Sequence, residues 1–195
     1  MTPDTLKNKY YLMRHGRSLA NEKSIIISDP ANGCNSYGLS ETGRQQIRES
    51  LESSSCLDGE TLIYCSDFLR TMETASLVSE ILQTGIPTLT ASLRERNFGD
   101  YEKSGDSNYK KVWKKDVLDG GNNHNSVESP DEVRARFISF INGMEEQFEG
   151  KDILLISHGD ILQIALTWPK NVAAKDHRSQ NHLETAEIRL FNQKD

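Results

Sequence analysis

Three continuous apolar runs punctuate the chain: Tyr10-Tyr11-Leu12-Met13, Thr61-Leu62-Ile63-Tyr64-Cys65 and Ile153-Leu154-Leu155-Ile156. Runs of this length without polar alternation suit parallel strands covered on both faces. Each ends in a polar turn, Arg14-His15-Gly16, Ser66-Asp67 and Ser157-His158-Gly159 respectively. Thr88 to Leu93 reads as a further strand-like run, and Ala186 to Phe191 alternates as an edge strand does. Between these runs the period changes to that of helices. Ser40 is a plausible N-cap for a helix through Leu51. Arg70 to Leu82 places Ala75, Leu77, Val78, Ile81 and Leu82 at helical spacing before Gly85 and Pro87. Asp131 to Phe148 is the longest pattern, with Val133, Phe137, Phe140, Ile141, Met144 and Phe148 along one core-facing side.

Two segments have no period. Residues 22–38 gather Asp, Pro, Asn, Gly and Cys, and residues 100–130 contain Asp119-Gly120-Gly121-Asn122-Asn123-His124-Asn125. Loops this long in a compact domain are usually functional or disordered. In the second, Tyr109, Val112, Trp113 and Val117 mark a short helix followed by a mobile loop, and both segments are expected over the site. Alternating strands and helices make the chain α/β, with a mostly parallel sheet. No repeat or linker divides it, so residues 1–195 are expected to be one domain.

Composition narrows the picture modestly. With 35% hydrophobic and 27% charged residues the chain is an ordinary globular protein. A net charge of −6 argues against a nucleic-acid surface. Cys34, Cys56 and Cys65 are odd in number and lack metal-ligand spacing, which points to reduced thiols and a cytoplasmic setting. Residues 1–9 are polar and no segment reaches membrane-spanning length, so neither export nor a membrane partner is expected. His124, His177 and His182 are expected at the surface, and the pairs Lys110-Lys111 and Lys114-Lys115 on a solvated helix face.

The strand-end turns carry the chemistry. Open α/β sheets collect ligands at the carboxyl ends of their strands, where His15 and His158 both lie. A neutral imidazole can carry a phosphoryl group if cations neutralise its oxygens. Arg14 and Arg70 supply such cations, in a planar form suited to phosphate. Glu95, in Leu93-Arg94-Glu95-Arg96-Asn97-Phe98-Gly99, is an acid for the leaving oxygen, provided that burial raises its pKa.

Five segments, in order, resemble the histidine phosphatase superfamily, also called the phosphoglycerate mutase-like family. They are Leu12-Met13-Arg14-His15-Gly16-Arg17-Ser18-Leu19-Ala20-Asn21, Leu39 to Gln46, Ser66 to Thr71, Leu93 to Gly99 and Ser157-His158-Gly159. The resemblance implies a three-layer α/β/α sandwich and a phosphatase that needs neither metal nor other cofactor. His15 would be the nucleophile and Glu95 the proton donor; Arg14, Arg70 and His158 would clamp the phosphoryl oxygens. Asn21 and the amide of Gly159 would add contacts.

Arg17 departs from the pattern, standing where many members carry glutamate or glutamine. It is either an extra cation at the pocket entrance, favouring a substrate with a second acidic group, or a solvated residue paired with Glu22 or Glu41. The expected activity is hydrolysis of a small phosphorylated metabolite. A phosphoglycerate mutase, a protein phosphotyrosine phosphatase and a phospho-ligand binder without turnover are the alternatives, and oligomeric state stays open. The chain looks too short for the insertion usual in mutases, which favours hydrolysis.

Overall fold

Strands β1 (Lys9–Arg14), β2 (Leu62–Cys65), β3 (Thr88–Leu89), β4 (Asp152–Ser157) and β5 (Ile188–Leu190) form one sheet in the order β3-β2-β4-β1-β5. This is a computed structural model, and it describes residues 3–192; residues 1–2 and 193–195 of the expected domain lie outside the described residues. All neighbours are parallel except β5, which runs antiparallel to β1 at the edge. The central pair is in register from Lys9 opposite Asp152 to Arg14 opposite Ser157. His15 and His158 therefore leave the same end of the sheet side by side, and the His15 amide donates to the Ser157 carbonyl at 3.0 Å.

The helices among the described residues are α1 (Leu19–Glu22), α2 (Pro30–Gly33), α3 (Glu41–Glu52), α4 (Leu69–Leu82), α5 (Tyr109–Asp116), α6 (Pro130–Gln147) and α7 (Gly159–Ala165). Strand side chains alternate between faces, and the core divides accordingly. Tyr10, Leu12, Ile153 and Leu155 meet Val133, Phe137, Ile141 and Met144 of α6, together with Ile161 and Ile164 of α7. Tyr11, Met13, Leu154 and Ile156 meet Ile47 and Leu51 of α3, together with Ala75, Leu77 and Val78 of α4. The result is the expected sandwich of helices, sheet and helices. Each aliphatic side chain fully buried in these layers stabilises the fold by about 1.5–3 kcal/mol relative to exposure.

Local chemistry sets the ends of the elements. Ser40 caps α3 by accepting the Gly43 amide, and Ser129 closes a capping box with Glu132 on α6. Helix α4 stops at Gln83, which takes a left-handed conformation, φ 56°, two residues before the expected Gly85. The run from Thr88 is a strand only through Leu89. Thr90 then accepts the Ser92 amide on its side chain and turns residues Ala91–Leu93 into a 3-10 turn, correcting the longer strand expected there. The short helices α1 and α2, and α7 immediately after His158, are additions to the expected elements.

The two long loops are joined to each other. The Glu102 carboxylate accepts the amides of Ser28 and Asp29, the Ser28 hydroxyl and Asn32 Nδ2, all within 2.7–3.1 Å. Main-chain bonds from Ile26 to Ser104, Lys103 to Ile26 and Asp106 to Ser24 run alongside. Beneath them Ile26, Phe98, Val112 and Val127 form a small apolar core of their own.

Candidate active site

The turn after β1 is held by close backbone contact. A Cβ on Gly43, in the first turn of α3, would lie 2.1 Å from the Arg17 carbonyl oxygen, so only glycine lets α3 press against the loop that carries His15. From the other side, Thr74 of α4 accepts the Gly16 amide at 3.2 Å and donates to the Arg70 carbonyl. The result is an immobilised His15, 3% exposed, beside an Arg70 that is 4% exposed.

Hydrogen bonds define the state of both rings. His15 Nδ1 lies 2.7 Å from the Gly16 carbonyl, an acceptor only, so this nitrogen carries the proton. Its Nε2 then presents a lone pair, which accepts from Arg70 Nε at 3.1 Å. The same Arg70 N–H reaches His158 Nδ1 at 3.1 Å, and His158 Nε2 donates to Ser66 Oγ at 2.9 Å. Burial, reinforced by the Arg70 and Arg14 charges, pushes the His15 pKa well below its ordinary value, and burial and Arg70 do the same to His158. Both rings are neutral at physiological pH.

Among the described residues two buried guanidinium nitrogens have no hydrogen-bond partner: Arg14 Nε and Arg70 Nη1. An unsatisfied buried donor is costly, and a cationic one calls for an anion. Arg14 otherwise donates from Nη1 to the Leu183 carbonyl, and Arg70 from Nη2 to the Ile27 carbonyl. Arg14 opens onto a cleft of about 240 Å³ whose walls include Asn21, Glu95, Tyr109, Trp113, Gly159 and Arg178. Asn21 is tethered by its Oδ1, which accepts the amide and hydroxyl of Ser18.

Glu95 is 9% exposed on the same wall. Its Oε1 accepts the amides of Arg96 at 2.9 Å and Ile161 at 3.3 Å. Burial raises its pKa, and the Asp160 carboxylate adds to the rise against the opposing pull of Arg70. Ser157 fixes this segment to the end of β4 by donating to the Leu93 carbonyl at 2.6 Å. Segments from four parts of the chain thus meet at one sheet end, as the sequence pattern implied.

Of the two readings of Arg17 the structure favours the solvated one, and one histidine differs from expectation. The Arg17 side chain is exposed and outside the cleft walls, while its main chain is held, the amide donating to Gln46 and the carbonyl accepting the amide and hydroxyl of Ser40. His177, expected at the surface, is 0% exposed; its Nδ1 bonds to the Ala174 carbonyl within the turn that folds over α7. His124 and His182 are exposed, the latter at the cleft rim.

Several wall residues were not singled out from sequence. Tyr109 and Trp113 stack with rings 5.5 Å apart, and the Arg178 guanidinium lies 3.8 Å over the Trp113 ring while bonding Gln163. The one available signal was the aromatic pair four residues apart on a short helix within a long loop. Among the described residues no group of three or more His, Cys, Asp or Glu is arranged to hold a metal ion. Nor is any helix there long and apolar enough to cross a membrane.

Known proteins resemble this chain in sequence and in fold. A Schizosaccharomyces pombe protein named as a probable phosphatase is 26% identical over 162 residues, covering 82% of this chain and 72% of its own. The alpha-ribazole phosphatase from Shigella flexneri has a similar structure, with TM-score 0.71, 20% identity and coverage of 95% and 96%. A mycobacterial glucosyl-3-phosphoglycerate phosphatase aligns with TM-score 0.68, 20% identity and coverage of 94% and 96%. At such identities the two structures attest the fold alone. The family model for the histidine phosphatase superfamily, branch 1, matches residues 10–195, and the chain belongs to that superfamily.

Proposed function

We propose that this protein hydrolyses small phosphomonoesters in two steps through a phosphohistidine on His15, without a metal ion. The observation that carries the reading is the fixed tautomer of His15: Nδ1–H is tied to the Gly16 carbonyl, and the Nε2 lone pair accepts from Arg70, whose Nη1, like Arg14 Nε, is a buried donor without a partner. Substrate binding draws the Arg70 N–H from the ring nitrogens to the phosphoryl oxygens. Nε2 then attacks phosphorus, the N–P bond forms, and the P–O bond to the leaving group breaks. Its electron pair takes the proton of Glu95.

In the second step Glu95, now a carboxylate, accepts a proton from water as that water attacks phosphorus. The N–P electron pair returns to Nε2. Arg14, Arg70, His158, Asn21 and the Gly159 amide hold the oxygens throughout, the electrostatic contribution that dominates phosphoryl transfer. A cleft of about 240 Å³ is below the usual range for drug-sized ligands, which supports a metabolite rather than a phosphopeptide. The free thiols at Cys34, Cys56 and Cys65 are in keeping with a cytoplasmic enzyme.

The test is phosphate release, with a chelator present, from sugar phosphates, phosphoglycerates, phosphoamino acids and phosphopeptides. Wild type should release phosphate, and His15→Ala should lose about a thousandfold or more while keeping its fold. Activity in His15→Ala within tenfold of wild type, or loss of wild-type activity to the chelator, would overturn the reading. Transfer between hydroxyls without net release would identify a mutase instead.

A further inference from the structure

Behind the acid lies a buried ion cluster that the two-step scheme does not use. Arg96, the residue after Glu95, is 0% exposed. Its guanidinium grips Asp116 of α5 with two bonds, at 2.7 and 2.8 Å, and reaches Asp160 of α7 at 3.1 Å. Its Nε donates to the Glu128 carbonyl. The other Asp160 oxygen accepts Trp113 Nε1 at 2.9 Å, and Asn122 donates to Asp116. His177 closes the cluster, with Nε2 3.8 Å from Asp160 and 4.0 Å from Asp116.

Removing the cation would leave two carboxylates buried and unpaired, so the geometry of the cluster is strongly enforced. Two carboxylates share the one guanidinium. The Asp160 carboxylate is therefore only partly neutralised, and it stands on the same cleft wall as Glu95. Helix α7 links the two directly, because the amide following Asp160, that of Ile161, donates to Glu95 Oε1. With Oε1 occupied by two amides, the acidic proton resides on Oε2.

We propose that Asp160, fixed by Arg96 and Trp113, is a positioning residue that makes Glu95 a proton donor instead of a fixed anion paired with Arg70. The inference rests on the phosphatase reading above. Glu95 is faced by Asp160 from α7, Arg70 from α4 and the Tyr109 phenol from α5. Arg14 from β1 shares its cleft, and Arg136 from α6 reaches its main-chain carbonyl. Asp106, Arg178 and His182 line the same cleft, but the charges that act on Glu95 are the Asp160 carboxylate and the Arg70 cation, which draws the proton off. Asp160 supplies the opposing charge, consistent with the direction in which it moves Glu95.

The variant to make is Asp160→Asn, which keeps shape and the acceptor for Trp113 while removing the charge; Arg96→Ala would strand two buried carboxylates and unfold. In Asp160→Asn the alkaline fall of kcat/KM should begin at lower pH. Above neutral pH an alkyl phosphate should lose about tenfold while an activated aryl phosphate changes little, since only the former needs full protonation of its leaving oxygen. In a Glu95→Gln background Asp160→Asn should add no further loss. An unmoved pH profile, equal slowing of both esters, or an additive loss in that background would overturn the proposal. Should wild type turn over no ester, the phosphatase reading fails; the Asp160 proposal is then decided by titrating the Glu95 carboxyl by NMR. Titration at lower pH in Asp160→Asn supports it, and an unchanged titration overturns it.

Discussion

A single N–H of Arg70 is shared by His15 Nε2 and His158 Nδ1, so neither ring nitrogen can take up a proton without meeting a guanidinium. This has a consequence for stability. Once the chain unfolds, both rings protonate near their ordinary value of about 6.5. Above that pH neither state binds protons at these rings and they leave stability unchanged. Below it the unfolded chain binds protons that the folded chain refuses, and stability falls by up to about 1.4 kcal/mol per pH unit for each ring. Denaturant titrations from about pH 7 to about pH 5 should therefore show a shallower loss for His158→Asn than for wild type. Parallel curves would contradict the neutral pair. The grouping of His15, Arg70 and His158 was readable because imidazole and guanidinium just past strand ends have few other uses. Arg96, Asp160 and His177 were not, because a charged or titratable side chain is a surface residue by default and only tertiary pairing buries it.

At the level of elements, the contact between α3 and the His15 turn offers a sharp comparison between two glycines. Gly43→Ala gains helix propensity of up to about 1 kcal/mol, but its methyl would stand 2.1 Å from the Arg17 carbonyl. Overpacking of this kind costs about 1–3 kcal/mol, and it pushes on the loop that carries His15. Gly143 in α6 has open space around it, so Gly143→Ala should stabilise by about 0.5–1 kcal/mol. Chemical denaturation should show loss in the first and gain in the second, with reduced kcat/KM in the first alone. The sheet and the helices α3, α4 and α6 were legible because their apolar periods are long. Helix α7 was not: Ile161, Leu162, Ile164 and Ala165 are all buried, so it has no polar face to reveal a period. The strand that starts at Thr88 stops at Leu89 because a side-chain cap at Thr90 outweighed local β-propensity.

Across the whole molecule, a net charge of −6 surrounds a cleft lined by Arg14 and Arg178. An anion is thus attracted locally by a protein that repels it globally. Arg17, one of whose two readings was a second cation at the entrance, is solvated, and Arg178 lines the cleft instead, flat against Trp113. Arg178→Gln should raise KM for esters whose leaving group bears a carboxylate by about three- to tenfold, a modest effect because the side chain is exposed. Esters with neutral leaving groups should be unaffected, and equal changes in both would remove Arg178 from substrate recognition. One feature of the fold bears on how such preferences can be altered. Because Glu102 and three main-chain bonds join residues 22–38 to residues 100–130, neither loop can be exchanged alone. A chimera carrying one foreign loop inherits half of a seam, whereas grafting both together transfers the cleft wall as a single inherited module.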